Sequence, residues 1–244
     1  MLLQTLLLFQ VFYNKSLLNN FNVEVINGGV NGADSFDEIH LLNKKFLALN
    51  PDMIIVYDGG NDLYKPIRDD ILQEPWPSDI DRLLKQIRNY YKTPQFVEFL
   101  DRIFKKNIYG DQGIPDEQVT NERMDAKAGI WKSRWNNVCE ENNKKGIKTI
   151  ITIQPYLGVG NKELSSWESE IKDRWSHIDV SDSFPLMIEK LNELDKSCSK
   201  IIDLTGVFDN NKGTIFYDLI HVGDVGNEIV AKKIFSNILP LIEK

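Results

Sequence analysis

The stretch "MIIVYDGGNDLY" (53–64) opens as an unbroken apolar, β-branched run and breaks abruptly into glycine and polar residues. Six residues are too few for a buried helix, so Met53 to Asp58 reads as a strand covered on both faces, with a turn at its carboxyl end. Three other runs read the same way: "VEVIN" (23–27), "KTIITIQ" (148–154) and "KIIDL" (200–204). Helical patterns lie between them, at Glu38 to Leu49 and in "SDSFPLMIEKLNELDKSCS" (181–199). The chain closes on another, "VGNEIVAKKIFSNILPLIEK" (225–244), with Ile229, Val230, Ile234 and Ile238 along one side. Strands alternating with helices predict a doubly wound α/β fold, a parallel sheet with helices on both faces.

One connection is too long for a single crossover helix. Between the second and third of these strands, roughly Tyr64 to Gly146, an insertion is expected within one domain spanning 1–244. "PSDIDRLLKQIRNYY" (77–91) and "TPQFVEFLDRIFKKNI" (93–108) have helical spacing, the latter through Phe96, Val97, Leu100, Ile103 and Phe104. "YGDQGIPDEQVTNERMD" (109–125) reads as a polar loop. An insertion after a strand's carboxyl end lies where open α/β sheets bind ligands, so it could shape a substrate cleft or be structural elaboration.

Charge excludes some partners. The 29 basic and 36 acidic residues give a net charge of −7, with no basic cluster dense enough to follow a phosphate backbone. Nucleic acid is not an expected partner. The two cysteines, Cys139 and Cys198, are far apart and lack neighbours at metal-ligand spacing, so neither a zinc site nor a disulfide is expected. The start, "MLLQTLLLFQVFYNKSLLNN" (1–20), is apolar but has no basic flank and no small-residue cleavage site. It reads as a buried amphipathic helix with Gln4, Thr5, Gln10 and Asn14 on its polar side. No stretch reaches the ~18 apolar residues of a membrane span.

Three polar clusters follow predicted strands or precede the last helix. In "NGGVNGADSFDE" (27–38), glycines let the chain turn and present N–H groups, and Ser35 with Glu38 fits a capping box better than a nucleophile. In "YDGGNDLY" (57–64), Asn61 stands between Gly60 and Asp62 as a neutral amide donor, suited either to a developing oxyanion or to a local turn. Asp58 and Asp62 are thin grounds for a cation site. In "FYDLIHVGD" (216–224), Asp218 stands three residues before His221 and can fix its tautomer, which makes His221 a better base candidate than His40 or His177.

In that order, the Gly-rich turn, the Gly-x-Asn-Asp block and the Asp-x-x-His block resemble the SGNH or GDSL hydrolase family. "GGND" (59–62) and "DLIH" (218–221) are the closest matches, and the likeness runs from Asn27 to the carboxyl end. The resemblance implies a flavodoxin-like three-layer α/β/α sandwich that hydrolyses esters without cofactor or metal. It also implies roles: Gly32 and Asn61, with Gly60 beside it, bind the oxyanion, His221 is the base and Asp218 its orienter. Expected substrates are acyl or acetyl esters of a lipid, sugar or small molecule. Gln154, Tyr156 and Trp167 are candidates to line the cleft, with packing of the lid the equal alternative for the aromatics.

The family's nucleophile lies in a Gly-Asp-Ser block after the first strand, and no "GDS" occurs here. If residues 1–20 form the helix that follows that block, the first strand and its serine lie upstream of Met1. The expectation is thus a truncated amino terminus, an inactive 244-residue chain and a sheet lacking the internal strand between its second and third. Ser16, Ser35, Cys139 and Cys198 are poor substitutes. A non-catalytic ester- or glycan-binding relative and a plain structural domain are the alternatives. The location reads as cytoplasmic for these residues and as secreted if a signal precedes them; oligomeric state is not legible.

Overall fold

The computed structural model describes residues 4–9, 23–30, 32–65 and 121–242. Five parallel strands form one sheet: β1 (Gln4–Phe9), β2 (Val23–Asn27), β3 (Met53–Asp58), β4 (Lys148–Ile153) and β5 (Lys200–Asp203), in the order β2-β1-β3-β4-β5. Six α-helices are described: α1 (Ser35–Leu41), α2 (Gly60–Tyr64), α3 (Asn121–Lys144), α4 (Ser166–Arg174), α5 (Phe184–Glu193) and α6 (Asp224–Ile242). Parallel strands buried between helices need apolar side chains on both faces, and β3 and β4 supply them: Ile54, Ile55, Val56, Ile150, Ile151 and Ile153 are all buried. The doubly wound reading therefore holds.

The internal position between β2 and β3 is filled. Where the sequence suggested a missing strand and a helix at the start, Gln4–Phe9 pairs with β2 (Leu6 opposite Val25) and with β3 (Leu6 opposite Met53). "QTLLLF" suits a strand or a helix by composition, and the neighbours decide it. Without β1 the backbone N–H and C=O groups along facing edges of β2 and β3 would lack partners. The helix expected over residues 1–20 is thus replaced by a strand at 4–9, and residues 10–22 lie outside the described ones.

The long connection also resolves differently from its sequence. The chain divides into two compact units, residues 1–68 with 121–244 and residues 69–120. The second unit, with both helices expected at 77–91 and 93–108, lies outside the described residues. The first unit contains all of α3, whose start at Asn121 falls within the expected polar loop. α3 brings Trp131 and Trp135 into the core, both fully buried.

A second expectation is corrected at the far end of α3. Cys139 and Cys198 form a disulfide across a sequence separation of 59, joining α3 to the turn before β5. Spacing gave no hint of it because the two meet only through the order of α3, β4 and β5.

Candidate active site

Sheet order locates the site. The chain passes from β1 outward to β2, then crosses back to β3 on the other side of β1, and ligands of open α/β sheets bind beyond the carboxyl ends of strands at such a reversal. Two of the polar clusters leave β2 and β3 at that edge.

After β2 the chain turns through Gly32, at φ +72, into α1. The cap is Asp34 rather than Ser35: Asp37 N–H donates to Asp34 Oδ1 (3.2 Å) and Asp34 N–H to Asp37 Oδ2 (3.5 Å). D-x-x-D at 34–37 and S-x-x-E at 35–38 both fit the capping pattern, and the register one residue earlier wins. Ser35 is freed for another role, donating its hydroxyl to Asp62 Oδ1 (2.5 Å) and its N–H to Asp62 Oδ2 (3.0 Å), while Arg134 donates to its Oγ (3.1 Å). Ser35 is fully buried in that network, which removes it as a nucleophile.

After β3 comes Gly59 at φ +121, a conformation that favours glycine, and then Gly60. A β-carbon on Gly60 would stand 2.4 Å from Gln154 Nε2 and 3.5 Å from Ile220 Cγ2. That close approach sets the β3 turn against both the β4 turn and the loop carrying His221. Asn61 Nδ2 donates to Ala33 O (2.6 Å), so one of its two N–H donors ties the β3 turn to the Gly32 turn and fixes the carboxamide. Gly32, Gly60 and Asn61 are thus brought together.

The candidate base and its orienter, His221 and Asp218, lie in the segment before α6. His221 Nδ1 and Asp218 Oδ2 are 2.7 Å apart, and Asp218 Oδ1 accepts the N–H groups of Ile220 (2.8 Å) and His221 (2.7 Å). Partial burial works to raise the Asp218 carboxyl, but those two N–H groups and the imidazole outweigh it and hold it below the usual range. The ionised carboxylate keeps the proton on Nδ1 and presents Nε2, on an exposed ring, as a proton acceptor. Leu157 N–H donates to Leu219 O (2.8 Å), docking this segment on the β4 turn.

Several participants have no motif. Tyr64 and Tyr156 share a 2.5 Å hydroxyl hydrogen bond, and Tyr156 also accepts from Val180 N–H (3.2 Å). Burial pushes the Tyr64 hydroxyl up to about 12. Tyr156 is buried and packs on Phe184, centroids 4.7 Å apart, so it is core as well as wall. Gln154 touches the Gly60 turn, whereas Trp167 is exposed on α4 beneath the Arg174 guanidinium. No group of three or more metal-ligating side chains occurs among the described residues.

Beneath the β3 turn lies a buried acidic group. Asp58 Oδ2 accepts from Trp131 Nε1 (3.0 Å) and Trp135 Nε1 (3.3 Å). Burial raises Asp58, Asp62 and Glu38, and mutual repulsion raises the last two further. Glu38 Oε2 has no hydrogen-bond partner among the described residues, as suits a protonated carboxyl. A carboxyl with a raised folded-state pKa binds more protons folded than unfolded. Its stabilisation is complete below the ordinary carboxyl pKa of ~4 and declines as pH rises through the folded value. Glu38→Gln, which keeps the shape without the proton, is expected to flatten the fall of Tm above about pH 5. A melting series showing the same slope in both proteins would refute this account.

No family model and no curated protein matches the sequence. Solved structures do match. A lipase/acylhydrolase from Enterococcus faecalis aligns over 96% of this chain and 95% of its own, with a TM-score of 0.55 and 16% identity. An acetyl xylan esterase, AlAXEase, aligns over 96% and 99%, at 0.53 and 15%. A catalytic mutant of an acetylxylan esterase from Geobacillus stearothermophilus aligns over 96% and 94%, at 0.51 and 13%. At such identities the likeness is one of fold, and the fold is that of the SGNH/GDSL hydrolases.

Proposed function

We propose that the chain is an SGNH-type ester hydrolase acting on acyl or acetyl esters of a lipid, sugar or small molecule. The observation that carries this reading is the Asp218–His221 pair in a segment packed on the same turns that bring Asn61 and Gly32 together. The named activities of the structural neighbours support it. In the reaction a serine Oγ attacks the ester carbonyl carbon and His221 Nε2 takes its proton. The second Asn61 N–H and the Gly32 N–H stabilise the oxyanion. His221 then returns the proton to the departing alkoxide, and water, activated the same way, releases the acid.

The serine has two candidate carriers. Ser16 is the one serine between β1 and β2, the family's place for it in the order of elements, although Gln10-Val11-Phe12 rather than Gly-Asp-Ser follows the strand. The other is a nucleophile away from the family's position, since β1 already lies within the chain and the place after the first strand is inside it. Assay with p-nitrophenyl acetate and acetylated xylooligosaccharides separates them. Activity lost in a folded Ser16→Ala protein assigns the serine to Ser16. Activity retained in that variant excludes it. In whichever form is active, Asn61→Ala is expected to lower kcat by about 10²–10³-fold with little change in KM. Unchanged kcat would remove Asn61 from the oxyanion site.

The absence of Gly-Asp-Ser favours one second reading, a cleft that binds an ester or glycan without cleaving it. Binding of acetylated sugar by a form that never turns it over would establish that reading. No described helix is long and apolar enough to cross a membrane. The disulfide supports an oxidising, secreted setting over the cytoplasm.

A further inference from the structure

Glu168, on α4, is fully buried and accepts four hydrogen bonds. Oε2 takes Lys162 Nζ (2.7 Å) and Ser165 N–H (2.9 Å), and Oε1 takes Ile215 N–H (2.9 Å) and Phe216 N–H (3.2 Å). The Ser165 bond is half of the capping box of α4 and is explained by the helix alone. The bonds to Ile215 and Phe216 are not. They reach 47 and 48 residues along the chain, and a capping glutamate ordinarily remains in water. Burying this carboxylate with Lys162 is costly unless every oxygen lone pair is used, and here both oxygens are doubly engaged. Burial works to raise the Glu168 carboxyl, but Lys162 and the three N–H groups outweigh it, so it stays ionised.

Ile215 and Phe216 are the foot of the loop that holds the base. Phe216 bridges Val222 in antiparallel fashion, Tyr217 N–H donates to His221 O (2.8 Å), and Gly223 N–H donates to Ile215 O (3.0 Å). Residues 215–223 therefore close on themselves, with Asp218 and His221 between the closing bonds. Phe216 is buried edge-on against Phe208, centroids 5.5 Å apart, which leaves Glu168 to satisfy the N–H groups of the foot.

We infer that Glu168 is a positioning residue for His221: it clamps the foot of the 215–223 loop and so holds the Asp218–His221 pair in register with the Asn61 turn. The consequence for catalysis rests on the ester-hydrolase reading, whereas the clamp itself does not. Glu168→Gln puts an N–H-bearing amide among donors and removes the charge that attracts them. Amide exchange at Tyr217 and Gly223 is expected to rise by about 10–100-fold. The proton NMR signal of the His221 ring N–H bonded to Asp218 should broaden away. Only three histidines share that region of the spectrum. In an active form kcat should fall with KM little changed.

Ser165→Ala is the control, because it leaves the Ile215 and Phe216 bonds in place while breaking the α4 cap and the bond that Thr214 Oγ1 donates to Ser165 Oγ (2.8 Å). Thr214→Val removes that last bond alone, so Ser165→Ala should lower Tm and loosen the loop no more than Thr214→Val does. Wild-type exchange and an intact ring-proton signal in a folded Glu168→Gln protein would overturn the proposal, as would loosening by Ser165→Ala that exceeds Thr214→Val and equals Glu168→Gln. Should Glu168→Gln not fold, the unaltered protein decides: Ile215 and Phe216 amides exchanging at the free-peptide rate overturn the clamp, and strong protection supports it. An inactive protein whose loop loosens as expected would sink the hydrolase reading and leave the clamp standing.

Discussion

His221→Ala is expected to reduce kcat/KM for a short-chain ester by about 10³-fold or more, with Tm within about 2 °C of wild type. The two halves of this result have separate causes. The imidazole is the exposed member of the pair, so removing it opens no cavity. Asp218 keeps its bonds to the N–H groups of Ile220 and His221, which belong to the backbone and survive the substitution. The loop is therefore expected to stay folded while the imidazole proposed to take the nucleophile's proton is gone. Asp218→Asn should cost about as much, since its amide oxygen can still accept from the same N–H groups but its NH2 then faces His221 Nδ1, which moves the ring proton to Nε2 and leaves no acceptor there. Activity of His221→Ala equal to wild type would exclude His221 as the base, whatever the nucleophile.

β3 and β4 were legible because a strand covered on both faces must be apolar without interruption, β2 and β5 as shorter Val- or Ile-bearing runs between helical patterns, and all four bounds in the structure differ from the sequence reading by a residue at most. Asn61, Gly60, Gly32, Asp218 and His221 were legible as short polar blocks beside such strands. Gln4–Phe9 was not. Its four consecutive apolar residues, Leu6 to Phe9, carry no period that separates strand from helix, and the choice rests on edges of β2 and β3 far along the chain. Glu168, Tyr64 and the tryptophans over Asp58 were invisible for a related reason. Their partners lie 47, 92 and 73 residues away, and no local pattern encodes such a meeting.

The Cys139–Cys198 bridge belongs to this long-range class, and its removal is expected to have the largest effect on stability. It closes a loop of 59 residues, for which chain entropy alone gives about 4 kcal/mol. The bridge ties α3 to the turn ahead of β5, so the closed loop contains β4, α4 and α5. Much of one side of the sheet is thus pre-gathered in the unfolded chain. Both cysteines are buried, so Cys139→Ala with Cys198→Ala also leaves a small void, which adds to the loss. For a chain of this size each kcal/mol shifts Tm by roughly 2–4 °C, and the double variant is expected to melt about 8–16 °C lower. The thiols of the untreated protein should resist alkylation until it is reduced. kcat should change little, because Cys198 precedes the amino end of β5, whereas the candidate site lies beyond the carboxyl ends of the strands. Equal melting of the double variant and the oxidised protein would mean that the unfolded chain gains nothing from the closed loop, and ready alkylation before reduction would mean that the bridge does not form.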